Sequence, residues 1–194
     1  MKTFLPLLLL CFLSASSAPS QTTGGRRKPA SKKSIKTVKP TFKVKDLDKY
    51  LALDPNTAII QLDDLIFKAS ESGENLANLS APQKNFYLNQ WLEKEVNNGG
   101  FDQFFFNSTG EFAHETITAL KAIGAVKTAA ILQEAINRWP KGIVPKDVVK
   151  RQNLSVKISP DGELFEDLDQ RFYKYEEDLN ELNLNYVRKN RDDF

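Results

Sequence analysis

The strongest constraint on the fold is a helix start followed by an abrupt helix break. Ser80-Ala81-Pro82-Gln83 has the S-x-x-Q form of a capping box, in which the serine and glutamine side chains bond free backbone N–H groups. The apolar residues that follow keep helical spacing, and they are Phe86, Tyr87, Trp91, Leu92 and Val96. Asn97-Asn98-Gly99-Gly100 comes next, and these residue types adopt the left-handed conformation that ends helices. The sequence therefore predicts a long amphipathic helix that ends at residues 97–100.

Phenylalanines dominate the residues after this break. Phe101, Phe104 and Phe105 share one helical face, so we expect a short helix that buries them and that ends within residues 107–110. The stretch EVNNGGFDQFFFNSTGE could in principle be an active-site loop, a ligand cradle or a bent junction between helices. The positions of its glycines and phenylalanines favour the bent junction.

Helical spacing of apolar residues extends over most of the chain after residue 46. Asp54-Pro55 predicts a helix start, and Gly73 predicts its end. Two further helices are predicted at residues 115–123 and 126–139, with Gly124 between them.

The last part of the sequence predicts an irregular segment and then a helical region. Residues 140–160 contain three prolines and predict an irregular connection with a short strand at Leu154 to Ile158. Glu163 to Tyr186 predicts the last helical region. We therefore expect an all-α, compact single-domain bundle of roughly six or seven helices.

Charge divides the chain into a basic arm and an acidic body. Residues 1–45 hold ten Lys and Arg and no acid, which leaves 17 bases against all 25 acids in residues 46–194, a net charge of −8. Residues 1–18 have a positive start, a short apolar run and small residues, and they predict a cleaved signal peptide and a secreted or periplasmic protein. No transmembrane segment is expected after cleavage. Residues 19–45 predict a disordered basic arm, and residues 46–194 an acidic helical domain.

The basic arm has several interpretations. It can contact nucleic acid or an anionic envelope, which would make the protein a structural tether, or it can fold back on the acidic body.

The residue types disfavour catalysis and metal binding. Cys11 is the only cysteine and falls within the predicted signal peptide, and His114 is the only histidine and has no second histidine at zinc-site spacing. We expect no catalytic residues, no metal and no cofactor. An alternative is a sugar or nucleobase binding protein, or a hydrolase, with a pocket near residues 95–110 where Glu95, Asp102 and Asn107 converge.

Acidic residues are concentrated near the end of the chain. Such a run is usually a solvated helix face, but on rigid helices it can also dock a basic protein through electrostatic complementarity. The residues that we predict to contact such a partner are Glu163, Glu166, Asp167, Asp169, Glu176 and Glu177.

Three segments together resemble the bacterial DNA-mimic protein family and its domain of formerly unknown function. They are LSAPQKNFYLNQWLEKEVNNGGFDQFFFNSTGE, ALKAIGA and FEDLDQRFYKYEEDL, which fall between about residues 79 and 186. The positions that match the family pattern are Asn97, Asn98, Gly99, Gly100, Phe101, Gln103, Phe104, Phe105, Asn107 and Gly110. The resemblance implies a helical, non-enzymatic, acidic and dimeric protein whose carboxylates imitate DNA phosphates and occupy a DNA-binding protein. A signal peptide would direct this member away from cytoplasmic partners, so we expect a non-enzymatic domain that docks a basic protein elsewhere.

Overall fold

The computed structural model describes residues 42–194. The predicted signal peptide and residues 19–41 of the predicted basic arm lie outside the described residues. The last four residues of that arm are part of the helical domain, because Val44 is buried and its N–H donates to the carbonyl of Phe194 at 3.0 Å. Phe42 also packs against the buried residues of this domain.

Eight α-helices make up most of the described part of the chain, which contains no β-strand. They are α1 (Leu47–Leu51), α2 (Pro55–Ala69), α3 (Ala81–Phe106), α4 (Ala113–Ile123), α5 (Val126–Asn137), α6 (Val148–Ile158), α7 (Glu166–Phe172) and α8 (Leu179–Lys189). None of these helices is both long and apolar enough to cross a membrane. The all-α prediction is confirmed, with slightly more helices than expected.

The predicted helix starts and breaks are present. The Asp54 side chain accepts a hydrogen bond from the Thr57 N–H at 3.1 Å and caps α2. Ser80 and Gln83 form the complete capping box of α3, with bonds of 3.1 and 2.9 Å. Gly124 has a φ of 89° and separates α4 from α5. Short-range side-chain chemistry therefore determines these helix ends.

The central helix α3 is broken where the sequence predicts it. Gly99 and Gly100 both leave the helical conformation, and Gly100 has a φ of 73° and a ψ of −174°, which favours glycine. A β-carbon at Gly100 would lie 2.3 Å from the Asp169 carboxylate. The residues before and after the break form two helical halves that point in different directions, and the second half is the predicted short phenylalanine-bearing helix.

The strand predicted at Leu154 to Ile158 is wrong, because these residues belong to α6. The alternation of apolar residues there resembles a strand, yet Leu154 and Ile158 are also four apart and pack together against the core. Val156, which lies between them, is 59% exposed. Asp147 caps this helix by accepting the Lys150 N–H at 2.8 Å.

The predicted last helical region is two helices, α7 and α8, separated by residues 173–178. Tyr175 has a φ of 45°, which interrupts the helix. The hydroxyl of Tyr173 donates to the carbonyl of Val96 at 2.8 Å, and that of Tyr175 donates to Glu93 at 3.0 Å. Both bonds hold residues 173–178 against α3. This tertiary contact interrupts the helix, and the spacing of apolar residues cannot predict it.

Two hydrophobic clusters meet at α3. One joins the end of α3 to α4, α5 and α7, and it includes Phe101, Phe105, Trp139 and Phe165. The other joins the start of α3 to α1, α2, α8 and the C-terminal Phe194. The first turns of α3, with Phe86, Tyr87 and Leu88, contribute to the second cluster, whereas the first cluster contains Leu92 and Val96 before the break as well as the phenylalanines after it.

We expect Gly100→Ala to destabilise the domain by about 3 kcal/mol, because the new methyl group would meet Asp169 and the backbone would be strained. Gly162→Ala is the matched control: its φ is 75°, but nothing lies within 4 Å of the new β-carbon. This control should cost only about 1 kcal/mol. Urea denaturation measures both, and equal losses would mean that the contact with Asp169 contributes nothing.

Candidate functional site

The amides of the family pattern surround a buried carboxylate. Glu95 is 7% exposed, and its Oε2 accepts hydrogen bonds from the Gln103 amide at 2.7 Å and from the Asn107 amide at 2.8 Å. Asn98 in turn donates to Oε1 of Gln103 at 3.1 Å. These bonds connect the two halves of α3 across its break, so the amides have a structural role.

The apolar and small pattern residues are also structural. Phe101, Phe104 and Phe105 are buried. A β-carbon at Gly110 would lie 2.5 Å from the carbonyl oxygen of Phe105 and 2.9 Å from Nε of Arg151. Gly110 is therefore required for close packing against the end of α3.

Arg151 is the most important residue that the sequence analysis missed. It is 1% exposed, and its guanidinium donates to the carbonyls of Phe105, Asn107, Pro145 and Lys146 at 2.9 to 3.0 Å. Burial lowers the pKa of Arg151 from its ordinary value. Two of its acceptors lie at the end of α3, where the last carbonyl groups of a helix have no N–H partner within that helix. The sequence around Arg151, in a segment predicted to be irregular, contains no motif that would predict these bonds to carbonyl groups.

The side chains required by the sugar, nucleobase or hydrolase alternative do not form a shared site. Glu95 and Asn107 are bonded to each other. Asp102 lies beside Ser159 instead, and burial raises the pKa of its carboxyl. Asn97 is exposed and donates to the Tyr175 hydroxyl. Glu95 and Asp102 therefore do not form the pair of facing carboxylates that the hydrolase alternative requires.

Metal and histidine chemistry have no support in the described residues. Within residues 42–194, no three His, Cys, Asp or Glu side chains form a group that could hold a metal ion. His114 is exposed, and its Nε2 accepts the N–H of Val144 at 3.4 Å. It is a surface residue near the start of α4.

Two of the six acidic residues predicted to contact a partner instead bond helix N-termini. Asp169 accepts the N–H of Phe101 at 2.8 Å and so caps the second half of α3. Burial raises the pKa of Asp169 to about 6, and the charges of Asp102, Asp167 and Glu166 contribute to this rise. The Asp169 carboxylate is therefore committed to the fold.

Glu177 has the same type of role at the start of α5. Its carboxylate accepts the N–H groups of Lys127 and Thr128, both at 2.9 Å, and the Thr128 hydroxyl at 2.8 Å. Partial burial opposes ionisation, but these bonds outweigh it and lower the pKa of Glu177. The neighbouring Glu176 is exposed and pairs with Lys127 at 3.1 Å.

The other predicted residues face solvent just before α7 and in its first turn. Glu163 and Glu166 are exposed, and neither forms an ion pair within the described part of the chain. Asp167 is exposed and receives two hydrogen bonds from Arg138, at 2.6 and 2.7 Å. Asp161 is exposed as well and adds to the negative charge sensed by Asp102. We call Asp161, Glu163, Glu166 and Asp167 the α7 acidic surface.

Comparison with known proteins gives one match. The family model described as DMP19-like protein matches residues 77–190, more than half of the 194 residues. No curated protein and no solved structure matches the chain. The matched range contains all of α3 to α8 and the α7 acidic surface.

We expect Glu177→Ala to cost about 1–2 kcal/mol of unfolding free energy, because two N–H groups at the start of α5 would lose their acceptor. Glu176→Ala removes the same charge one residue earlier and should cost less than about 0.5 kcal/mol, since it loses only an exposed ion pair. Urea denaturation of both variants measures the difference. A larger loss for Glu176→Ala would contradict the capping role of Glu177.

We expect the Asp169 carboxyl to titrate near pH 6 in the folded protein, against about 3.9 when unfolded. The folded state holds this proton more tightly than the unfolded state. Protonated Asp169 therefore contributes its full stabilisation below about pH 4, and this stabilisation is lost as the pH rises through about 6. Asp169→Asn keeps an oxygen acceptor for Phe101 but cannot titrate. Relative to this variant, the wild-type protein should lose stability between about pH 4 and pH 7. Carboxyl ¹³C NMR gives the pKa directly, and a midpoint below about 4 would contradict this expectation.

Proposed function

The chain belongs to the DMP19-like protein family, and on this premise we propose that it is a non-enzymatic domain that binds a basic protein through the α7 acidic surface. The observation that carries the proposal is the exposure of Glu163 and Glu166 without ion-pair partners in the described residues. Their negative charge is available to another molecule. Exposed carboxylates can then occupy the positions that DNA phosphates take on a DNA-binding surface.

The geometry of α7 supports this use of its carboxylates. The two parallel bonds from Arg138 hold the Asp167 carboxylate in one orientation while leaving it exposed. Asp169 on the same helix anchors α7 to the second half of α3. The Asp167 carboxylate therefore lies at a fixed position, as binding by a partner that recognises the spacing of negative charges requires.

The proposed contact set is smaller than the six residues predicted from the sequence. Asp169 and Glu177 serve as caps, and Glu176 pairs with Lys127. Asp161 joins the set because it is exposed beside the others. The proposed partner is a protein with clustered Lys and Arg, and the predicted signal peptide favours one outside the cytoplasm.

A direct test uses the wild-type protein and two triple variants as baits for affinity capture from the native cell envelope. Each captured partner is then purified, and its affinity for the three baits is measured. Asp161→Asn, Glu163→Gln and Glu166→Gln together should weaken binding by about tenfold or more, equivalent to about 1.4 kcal/mol or more. The control bait carries Asp46→Asn, Asp192→Asn and Asp193→Asn, which change the net charge equally at other exposed positions. It should bind nearly as well as the wild-type protein.

Two further measurements separate DNA mimicry from general charge attraction. Duplex DNA should compete with the protein for the partner, and affinity should fall steeply with added salt. Removal of residues 19–41 should retain or strengthen binding, because their positive charge repels a basic partner. If both triple variants bind equally well, the α7 acidic surface is not the contact.

A further inference from the structure

The outward face of α6 and its surroundings combine exposed apolar side chains with lysines. Ten large hydrophobic residues of the described part of the chain are exposed, and five of them lie on α6 or near its ends and neighbours. These five are Phe106, Ile143, Val148, Val149 and Val156. Single exposed apolar side chains are common on proteins, but a concentration of them marks an interaction surface. None of these residues has a role in the proposed function.

Three of these side chains lie in one strip. Val149 and Val156 are seven residues apart and therefore share a face of α6, where they are 62% and 59% exposed. Gln152 lies between them on this face, and its side-chain amide donates to the carbonyl of Phe106 at 3.2 Å. The end of α3, with the exposed Phe106, is therefore next to the two valines. We call Phe106, Val149 and Val156 the α6 apolar strip.

Lysines follow the same direction as the strip. Lys150 and Lys157 each come directly after one of its valines, so they form a second row about 100° further round the helix. Residues 139–158 hold four exposed lysines and one acid, Asp147, although residues 46–194 have a net charge of −8. Lys150 and Lys157 form no ion pair with the described residues. Their positive charge is therefore available to an anionic partner.

The local charge decides what this face attracts. Asp147 caps α6 by accepting the Lys150 N–H, so its carboxylate is bonded at the start of the helix. Salt at physiological concentration screens exposed charges over about 10 Å. The lysines beside the strip therefore contribute more to attraction at α6 than the net charge of the whole domain does.

The shape of this face favours a lipid surface over a protein partner. The α6 apolar strip lies on the convex side of a helix, and four cavities of about 150 to 380 Å³ among the described residues are lined by other side chains. Protein interfaces obtain most of their affinity from side chains that fill pockets. A membrane interface accepts apolar side chains without a pocket, and lysines beside them extend their ammonium groups to anionic headgroups.

The opposite face of α6 holds the helix in place. Arg151 and Ser155 are buried there, and Leu154 and Ile158 pack against the core. The guanidinium of Arg151 bonds four carbonyl groups outside the helix or at its start. The helix is therefore formed before it meets a membrane, and no folding cost reduces its affinity for lipid.

We propose that α6 binds the surface of a membrane that contains anionic lipid. The α6 apolar strip enters the boundary between headgroups and acyl chains, and Lys150 and Lys157 contact the lipid phosphates. The helix lies along the surface, because its 11 residues are too few to span a bilayer, which takes about twenty. This inference does not depend on the proposed function, which uses the α7 acidic surface.

A fluorophore placed in the strip tests whether α6 itself contacts lipid. The protein without residues 1–18, the predicted signal peptide, lacks Cys11 and so contains no other cysteine. A nitrobenzoxadiazole fluorophore on Val156→Cys should shift its emission to shorter wavelength when vesicles of equal parts phosphatidylcholine and phosphatidylglycerol are added. The shift should saturate with lipid, and vesicles of phosphatidylcholine alone should cause little shift.

The matched control carries the same fluorophore on Val126→Cys, which is 61% exposed at the start of α5 and should show no shift. Because each fluorophore reports its own surroundings, lipid binding by the basic residues 19–41 alone would not shift the signal at position 156. No shift there, or equal shifts at both positions, would overturn the proposal.

Vesicle sedimentation of unlabelled variants identifies the contribution of the strip. Val149→Gln with Val156→Gln should weaken binding to the mixed vesicles about tenfold. Ile60→Gln with Val126→Gln removes two equally exposed apolar side chains from α2 and α5, and it should bind as well as the wild-type protein. All four positions are exposed, and circular dichroism shows whether each variant remains folded.

A second pair of variants tests the lysines. Lys150→Gln with Lys157→Gln should also weaken binding to the mixed vesicles about tenfold. Lys121→Gln with Lys174→Gln changes the charge equally at other exposed positions and should leave binding unchanged. Wild-type affinity in either the valine pair or the lysine pair would overturn the assignment of α6 as the lipid contact.

Poly-L-glutamate distinguishes a lipid surface from an acidic protein. It carries negative charge without an apolar phase, so it should leave the fluorophore at position 156 unshifted. A saturable shift with poly-L-glutamate and none with the mixed vesicles would overturn the lipid assignment in favour of an acidic protein partner. Capture of a basic partner through the α7 acidic surface would be unaffected by either result.

Discussion

The break in α3 leaves backbone groups without helical partners, and other elements of the domain are placed so that they bond these groups. After the break, the N–H of Phe101 bonds the carboxylate of Asp169 on α7. At the end of the same helical half, carbonyls of Phe105 and Asn107 bond the guanidinium of Arg151 on α6. Because unpaired buried backbone groups are costly, these three bonds fix α6 and α7 relative to α3. Glu95 then joins the two halves from within, through the amides of the family pattern.

This arrangement divides the acidic residues into two groups with different physical roles. Asp169 and Glu177 act as N-caps supplied by a distant part of the chain, where a negative charge also favours the helix dipole. Glu163 and Glu166 form no ion pair with the described residues and remain directed to solvent. A count of carboxylates along the sequence cannot separate these groups. Only the partners in the folded structure show which charges are available for binding.

The local features of the fold were predictable, and the distant partners were not. The capping box at Ser80 and the break at Gly99-Gly100 depend on residues a few positions apart, so their spacing in the sequence predicts them. Asp169 bonds a residue 68 positions away, and Arg151 bonds one 46 positions away. No spacing rule reports such pairs. The prediction of a strand around Leu154 was wrong for a related reason. Apolar residues occur there both two and four positions apart, so the pattern fits a strand and a helix, and only tertiary packing determines which one forms.

The negative charge of the α7 acidic surface also lowers the stability of the folded domain. Asp102 of α3, Asp167 and Glu166 place negative charge near Asp169, and this charge adds to the rise in the pKa of Asp169 that burial causes. The cap on Phe101 is therefore held in its charged form at a cost in free energy near neutral pH. Arg138 compensates Asp167, but no described residue compensates Glu166 by an ion pair. Uncompensated charge that weakens a structural contact is typical of residues kept for binding rather than for folding. The uncompensated charge of Glu166 thus supports the proposal that the α7 acidic surface, rather than the carboxylates bonded elsewhere in the domain, is the binding surface.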